Sequence, residues 1–572
     1  MHPAPQNRQV RSQTDIRLAR AVFVATFALY LLSSGREPPW GDGNVQYMVA
    51  DGLVHHGSPA IPRPWPDDLP RGRNGKYYAT YPLGASLSQL PAVLLLDAVT
   101  AVSPEARTLA KPLITHLACS AFGALTCVVF FWLCRERQLS RRAASAATAV
   151  LAFGTTIWVY AHYSYSEIAQ AALFTGFVRE LLRVRDEPTP GHARWLGLYA
   201  GLLFSVKYVY AASVIGGAAY LALDLAIGSP RAALARLARR AQLRLALAAA
   251  IAALPFLVLA LVYNAVCWGS PLTTGYAPYL AAYMGENPLI GLWRMWLSPG
   301  KSVLLYSPPL ILGLVALPRM WREHRAVCLV LLATAGPVLA VYSRYKLIGD
   351  YAWGPRFVVF VVPALCLGLA AVLDSWLREP PRWSRRSVLA VVLASGVAVQ
   401  LLGNVLYWDH FIRISMDARA AWLGQPNRSG AIIPVRSDGH CDSCFEDVHQ
   451  LELLPQFQPI RGHLWLVRAV LAGDDARRAE ASAPWHDTTS LTIDISRTYE
   501  RARIDWWGLL WIKDNPRTWL AGVALLLLFT AGTTAGAMAW RRAHVAPDER
   551  DELDRAAPSR SQLAARDAAE QT

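Results

Sequence analysis

Long apolar runs separated by short polar segments are the dominant pattern along this chain. Many runs hold about 20 residues rich in Ala and Leu, the length of an α-helix that crosses a bilayer. Inside lipid each backbone polar group must be satisfied within its own segment, so these runs are predicted to be helices. The pattern predicts about twelve spans, near 19–34, 110–134, 143–161, 167–183, 193–206, 208–226, 243–265, 303–319, 326–343, 357–377, 387–407 and 517–540.

Two apolar stretches do not fit simple crossings. The pair 193–206 and 208–226 is too short for two full spans, so we expect tilted or broken helices that meet near Lys207. The stretch 86–101 is about 16 residues long and contains Pro91, which predicts an interfacial or partly inserted helix in the first external loop.

Arginine is concentrated in the short loops between the predicted spans, and this fixes an orientation. Examples are Arg135, Arg137, Arg141 and Arg142, then Arg231, Arg236, Arg239, Arg240 and Arg244, then Arg378, Arg382, Arg385 and Arg386. Because cytoplasmic loops carry the excess of positive charge, both chain ends are predicted to be cytoplasmic. The same bias explains the formal net charge of +15, so no nucleic-acid partner is predicted. We expect a multi-pass protein of the cytoplasmic (inner) membrane.

The composition also divides the chain. The predicted parts are a cytoplasmic segment 1–18, a transmembrane domain 19–407 with a first external loop 35–108, an extracytoplasmic domain 408–516, a last span 517–540 and a disordered cytoplasmic tail 541–572. Period-2 alternation in 490–496 predicts a strand, and the run around 463–471 predicts a helix. The region 408–516 is therefore expected to be a small mixed α/β domain.

Asp42 is the first candidate for chemistry. It lies between Gly41 and Gly43, directly after the first span, on the face predicted to be extracytoplasmic. Glycines let a ligand approach the backbone closely, and a carboxylate there can act as a general base on a sugar hydroxyl. The alternative is structural, because an aspartate in this context also suits the N-cap of a helix.

Other polar side chains gather on the same predicted face. Lys76 and Tyr81 precede the interfacial stretch, where they suit either a membrane aromatic belt or a sugar and headgroup site. Glu167 and Lys207 lie near membrane depth, where an ionisable side chain is costly and is a functional candidate by default. Snorkelling to the interface is the alternative for Lys207.

Basic residues also occur in two loops that the topology places outside. These residues are Lys301 in one loop and Arg344, Lys346 and Arg356 in the other. Cations that break the positive-inside trend need another reason, and binding a phosphate is a direct one.

The chain contains eight cysteines, and two of them fall in a polar region. For Cys441 and Cys444 a disulfide ranks first, free thiols second and a zinc site third. The other six lie in or beside apolar runs and are predicted to be packing residues.

These motifs together resemble the GT-C class of membrane glycosyltransferases, in particular its bacterial family-39-like members that depend on polyprenyl-phosphate sugars. The residues that carry the resemblance are Gly41-Asp42-Gly43-Asn44, Gly75-Lys76-Tyr77-Tyr78 with Tyr81-Pro82, the stretch that ends in Lys207, Ser298-Pro-Gly-Lys301, and Trp353-Gly-Pro-Arg356. Members that modify lipid A with aminoarabinose carry Lys-Pro-Pro where this chain has Tyr81-Pro82-Leu83, which argues against that substrate.

The resemblance implies a GT-C-like fold and a reaction on the extracytoplasmic face. A sugar would pass from a polyprenyl-phosphate donor to a hydroxyl of a glycan, lipid or protein, with inversion. Asp42 would be the base, and Lys207 and Arg356 would bind the donor phosphate. No cofactor or metal is predicted, although the metal requirement varies within the class and a divalent ion stays open. Two other classes stay open, a transporter or flippase for a lipid-linked sugar and an O-antigen ligase or polymerase. The chain has no P-loop and no dinucleotide-binding glycine pattern, so a nucleotide-driven cytoplasmic reaction is not expected.

Overall fold

The computed structural model of the protein describes residues 12–38, 41–62, 70–163, 165–228, 232–346, 352–379, 383–408, 411, 458–472, 504–515 and 517–545. Within these ranges the chain is helical, and its only β-type pairing consists of isolated bridges, such as the one between Ile61 and Tyr77.

The helices follow one another with short connections. The first half contains α1 (Gln13–Leu32), α2 (Gly41–His56), α3 (Leu83–Leu87), α4 (Leu90–Val102), α5 (Pro104–Glu136), α6 (Arg141–Gly154), α7 (Ile157–Tyr160), α8 (Glu167–Asp186), α9 (Pro190–Val206), α10 (Ala211–Ile227) and α11 (Arg239–Trp268). The second half contains α12 (Ala277–Tyr283), α13 (Pro288–Leu297), α14 (Val303–Tyr306), α15 (Leu310–Val315), α16 (Leu317–Glu323), α17 (Arg325–Ser343), α18 (Val362–Arg378), α19 (Trp383–Val405), α20 (Pro459–Ala472) and α21 (Trp519–Val545). Short 3-10 turns at Tyr208–Tyr210 and Arg356–Val361 lead into α10 and α18.

Eight helical stretches of the described residues are long and apolar enough to cross a membrane, as predicted for a multi-pass membrane protein. They are Leu83–Val102, Pro104–Glu136, Tyr208–Ile227, Arg239–Trp268, Arg325–Ser343, Arg356–Arg378, Trp383–Val405 and Trp519–Ala543. The expected count of about twelve is not reached by these criteria. The single span predicted at 303–319 is instead three short helices, α14 to α16, interrupted by Ser307-Pro308-Pro309, because proline lacks the amide that would continue a helix.

The apolar helical part of the first loop is longer than the interfacial or partly inserted helix predicted at 86–101. Helices α3 and α4 are separated only by Ser88 and Gln89, and together they form one of the eight stretches. Pro91 stands in the first turn of α4, where a missing N–H costs nothing, so the helix begins there and is not broken.

Helix packing brings distant parts of the chain together. Helix α1 lies along α21, α9 lies along α11, and α5 contacts α1, α4, α6 and α8. Small residues allow these close approaches. A Cβ on Gly197 would lie 2.0 Å from the carbonyl oxygen of Ala249, so α9 and α11 could not pack this way with a larger residue.

Arginines in or beside the basic loops form buried ion pairs as well as carrying the topology signal. Arg135 and Arg141 both pair with Asp15, at 3.2 and 3.0 Å, and Arg179 pairs with Glu136 and with Glu180. A charge buried beside its partner avoids the penalty of an isolated ion. These pairs fix one end of α1, α5, α6 and α8.

The late region is only partly described. The helix expected around 463–471 is confirmed as α20, whereas Cys441, Cys444 and the strand expected at 490–496 lie outside the described residues. The α/β domain therefore stays a prediction. The other six cysteines are free, and five of them are buried, in agreement with a packing role.

Candidate active site

Asp42 lies in the first turn of α2, at its amino end. Gly41 begins this helix with φ of +54°, a left-handed conformation that glycine adopts without steric cost. The Asp42 carboxylate accepts a hydrogen bond from the Tyr81 hydroxyl at Oδ1 and pairs with the Arg356 guanidinium at Oδ2. Both oxygens are therefore engaged in side-chain contacts with distant residues, and 19% of the side chain stays exposed.

Arg356 is the central residue of the site. Its Nη2 meets Asp42, its Nε donates to Oε1 of Glu167 at 2.8 Å, and its guanidinium lies 4.7 Å from the centre of the Tyr165 ring. The planar fork of arginine suits such a bridge between two carboxylates. The backbone before it turns at Gly354, with φ of +70°, where a Cβ would lie 2.6 Å from the Tyr306 ring.

Glu167 and Lys207 complete the ionic network. Glu167 is the first residue of α8 and is only 1% exposed, and Lys207 Nζ lies 3.6 Å from its Oε1. Lys207 occupies the predicted break, between the end of α9 and the 3-10 turn that leads into α10. Its ammonium also lies 4.7 Å from the centre of the Phe357 ring, close enough for a cation–π contact.

We call Asp42, Glu167, Lys207 and Arg356 the four-charge cluster. Two carboxylates and two cations give it a formal charge of zero, which is what makes its burial tolerable. Glu167 and Arg356 are the interior members, whereas Asp42 and Lys207 keep 19% and 13% of their side chains exposed. A ligand that reaches the cluster therefore meets a carboxylate on one side and an ammonium on the other.

Aromatic rings surround the exposed edge of the cluster. Tyr276 packs edge-on against Tyr81 and Tyr208, with ring centres 6.2 and 6.4 Å apart. Burial raises the pKa of the Tyr276 hydroxyl, against the opposing effect of Lys207, so it is neutral at pH 7 and can donate a hydrogen bond. Tyrosine rings and hydroxyls of this kind suit the faces and hydroxyl groups of a sugar.

The structure does not bring all predicted residues into this site. The side chains of Lys76, Arg344 and Lys346 are exposed and take no part in the described contacts of the cluster. Lys301 is buried, and its Nζ donates to the carbonyl oxygen of Ala352 at 2.6 Å, so it supports the loop that leads to Arg356.

Sequence reasoning missed two features of the site. Tyr165, under the Arg356 guanidinium, was hidden in a run of alternating serine and tyrosine that gave no signal of its own. Tyr276 was not selected, because nothing in the sequence indicates that its loop returns to Tyr81. No group of three or more potential metal ligands occurs among the described residues, so no metal site is assigned there.

Comparisons with known proteins give a distant structural likeness. No family model matches the chain, and no curated protein matches it. The crystal structure of ArnT from Cupriavidus metallidurans in the apo state is 14% identical, covers 92% of this chain and 76% of its own, with a TM-score of 0.44. Archaeal oligosaccharyltransferase AglB from Archaeoglobus fulgidus, in complex with an inhibitory peptide and a dolichol-phosphate, is 13% identical, covers 93% of this chain and 56% of its own, with a TM-score of 0.29. The function of the site is therefore argued from its own residues.

Proposed function

We propose that the protein is a membrane glycosyltransferase that moves a sugar from a polyprenyl-phosphate donor to an acceptor hydroxyl on the extracytoplasmic face. The observation that carries the proposal is that one ionic cluster presents both a carboxylate, Asp42, and an ammonium, Lys207, as its partly exposed members. A glycosyl transfer of this kind needs a base for the acceptor and a cation for the donor phosphate.

The chemistry is a single displacement at the anomeric carbon. The acceptor hydroxyl gives its proton to Asp42 and its oxygen bonds to the anomeric carbon, while the bond from that carbon to the phosphate oxygen breaks. The lipid phosphate leaves with one more negative charge than it had in the donor. Lys207, with Arg356 behind it, stabilises that charge. One displacement inverts the configuration of the sugar.

Arg356 couples the two halves of this reaction. In the structure its guanidinium holds Oδ2 of Asp42, so Asp42 is not ready to accept a proton. A donor phosphate beside Lys207 competes with Asp42 for the same guanidinium, because phosphate is also a bidentate partner for arginine. When the Nη2 arm of Arg356 turns toward the phosphate, Asp42 is released for the acceptor. Glu167 still holds the Nε of Arg356 and the ammonium of Lys207. Donor binding thus activates the base.

The donor and acceptor classes rest on different grounds. A polyprenyl-phosphate donor agrees with a phosphate-binding edge next to membrane helices and with the motif resemblance of residues 41–84 and 353–356. The acceptor is a hydroxyl of a glycan, a lipid or a protein, since a general base such as Asp42 requires only that the acceptor group carries an exchangeable proton. The extracytoplasmic side follows from the arginine-rich loops.

The test is release of free polyprenyl phosphate by the purified full-length chain in liposomes. The substrates are a panel of undecaprenyl-phosphate monosaccharides, each mixed with an envelope extract as the acceptor source. Wild type should release lipid phosphate and label the extract with one sugar of the panel. Asp42→Asn should lower the rate by about 100- to 10,000-fold, the usual contribution of a general base.

Asp51→Asn is the matched control. Asp51 lies on the same helix α2, but its partners are His55 and Arg107 at the other end, so the variant should react like wild type. Equal rates for Asp42→Asn and wild type would remove the base role. Movement of the intact lipid-linked sugar across the bilayer without cleavage would favour the transporter, and use only of diphosphate-linked oligosaccharides would favour the ligase.

A further inference from the structure

A late segment of the chain, residues 504–514, crosses the ends of α1 and α19; we call it the late strap. Its backbone is tied to both helices, since the Asp505 N–H donates to the Val405 carbonyl at 2.8 Å and the Trp507 N–H donates to the Ser34 carbonyl at 3.2 Å. The indole of Trp506 donates to the Leu32 carbonyl at 2.8 Å. The late strap is thus fixed at the end of the helix that precedes Asp42.

Asp505 is the polar centre of the late strap and is only 2% exposed. Its Oδ1 accepts hydrogen bonds from the N–H groups of Arg36, at 2.6 Å, and Glu37, at 3.2 Å. Its Oδ2 lies 3.4 Å from the Tyr163 hydroxyl, whose one proton it shares with the carbonyl oxygen of Gly403, also at 3.4 Å. The backbone at Gly35 comes so close that a Cβ there would lie 2.5 Å from this carboxylate.

These contacts join two segments that precede, in the sequence, the acids of the four-charge cluster. Arg36 and Glu37 lie five to six residues before Asp42, and Tyr163 lies four residues before Glu167. The Asp505 side chain therefore contacts both Arg36 and Glu37, which precede α2, and Tyr163, which precedes α8. A displacement of about 1 Å at a reacting group is enough to cost about 100-fold in rate, so the spacing of these segments matters.

The carboxylate is not placed there for packing alone. A buried carboxylate is costly unless its oxygens are hydrogen-bonded. No ion pair to Asp505 is found among the described residues, since the Arg36 side chain pairs instead with Asp514 at 2.8 Å. The groups that titrate or carry charge around Asp505 are Arg36, Glu37 and Tyr163, with the buried His162 beside Tyr163. The hydrogen bonds that offset the burial of this carboxylate come from two backbone N–H groups and one hydroxyl.

We propose that Asp505 is a positioning residue that sets the separation of Asp42 and Glu167 by holding residues 35–37 close to Tyr163. The late region, for which the sequence offers no role, then contributes directly to the geometry of the site. The inference rests on the proposed function for its kinetic consequence, but its structural consequence does not depend on which reaction the protein catalyses.

The experiment compares Asp505→Ala, Asp505→Asn and Asp514→Ala in the full-length chain in liposomes. Hydrogen exchange is measured for peptides that cover 35–47 and 162–170, and kcat and KM are measured by polyprenyl-phosphate release for the amount of folded protein. Asp505→Ala should speed exchange in both peptides and lower kcat at least about tenfold, with KM within about twofold. Asp505→Asn keeps an acceptor oxygen and should restore kcat to within about threefold of wild type.

Asp514→Ala is the matched control, because Asp514 lies in the late strap and pairs with Arg36 without touching the loop N–H groups; it should behave like wild type. If Asp505→Ala does not fold, Tyr163→Phe takes its place and should speed exchange in 162–170 alone, with a several-fold loss of kcat. Wild-type kcat in whichever of these two variants folds would overturn the proposal, and so would a lower kcat with unchanged exchange. Activity in Asp42→Asn would instead count against the proposed function, leaving the exchange result standing.

Discussion

Replacement of Arg356 by lysine separates the charge of the central residue from its shape. The variant keeps one positive charge, but an ammonium on a flexible stem lacks the planar fork that reaches Asp42 and Glu167 at once. We expect Arg356→Lys to keep its contact with one carboxylate and to lose the other.

The size of the effect follows from the contact that is lost. A hydrogen bond to a charged group contributes about 1.5–3 kcal/mol. This corresponds to roughly 10- to 100-fold in kcat/KM, because the guanidinium arm that holds Asp42 in the structure holds the donor phosphate in the proposed transition state, and a lysine kept at Glu167 lacks that arm. Arg356→Ala removes both contacts and leaves two buried acids beside Lys207 alone. Breaking a buried ion pair by removing one partner costs about 3–5 kcal/mol of stability, so this variant should also denature more readily.

The assay is polyprenyl-phosphate release by purified full-length protein, with thermal denaturation followed on the same samples. Arg344→Lys serves as the control, because Arg344 is exposed and takes no part in the described contacts of the four-charge cluster. Wild-type kcat/KM and an unchanged denaturation midpoint in Arg356→Lys would refute the bridging role. A loss as large as that of Arg356→Ala would mean that the fork is required in full.

Two further predictions address the surroundings of the site. Burial raises the pKa of Asp505 from 3.8 to about 6, with Glu37 adding to this and the loop N–H groups opposing it. The folded protein therefore binds the proton more tightly than the unfolded chain, and stability should fall by about 2 kcal/mol as pH rises from about 4 to 7. Asp505→Asn should flatten this part of the denaturation profile, and an identical profile in the variant would contradict the assignment. Gly84→Ala should lower transfer activity, since its Cβ would meet the Ser205 carbonyl at 2.5 Å and push α3 away from the end of α9, whereas Gly336→Ala, whose Cβ meets nothing nearer than 3.8 Å, should react like wild type.

Long uniform runs made the membrane part of the fold predictable. The stretches Arg239–Trp268 and Trp519–Ala543 were recognised because apolar residues fill them. The break at Lys207 was also expected from the shortness of its flanking segments. Helix α8 illustrates the limit, since it was predicted as a span although it buries Arg179 and Glu180. Such charges are tolerated through partners on other helices, which one segment of sequence does not reveal.

The residues of the candidate site could be selected from the sequence, whereas the contacts between them could not. Asp42, Glu167, Lys207 and Arg356 were each selected for a local reason, namely a carboxylate between glycines, charges at membrane depth and a cation against the topology trend. Their mutual pairing depends on how α2, α8, α9 and the turn before α18 pack, which no local pattern encodes. Asp505 gave no signal at all, because a lone aspartate in a polar region resembles any solvated acid.

The late strap has a consequence for the order in which the protein matures. Ribosomes deliver the chain from its amino end, so Asp42, Glu167, Lys207 and Arg356 reach the membrane long before residue 504 is made. Until then the Arg36 and Glu37 N–H groups lack Asp505 as their acceptor, and Asp505 does not yet hold these residues close to Tyr163. A nascent or truncated chain would hold every member of the four-charge cluster and still be a poor catalyst. If Asp505 positions the site as proposed, the site is completed only after residue 505 has been made and packed against α1, and a half-inserted chain would not yet act on a lipid-linked donor.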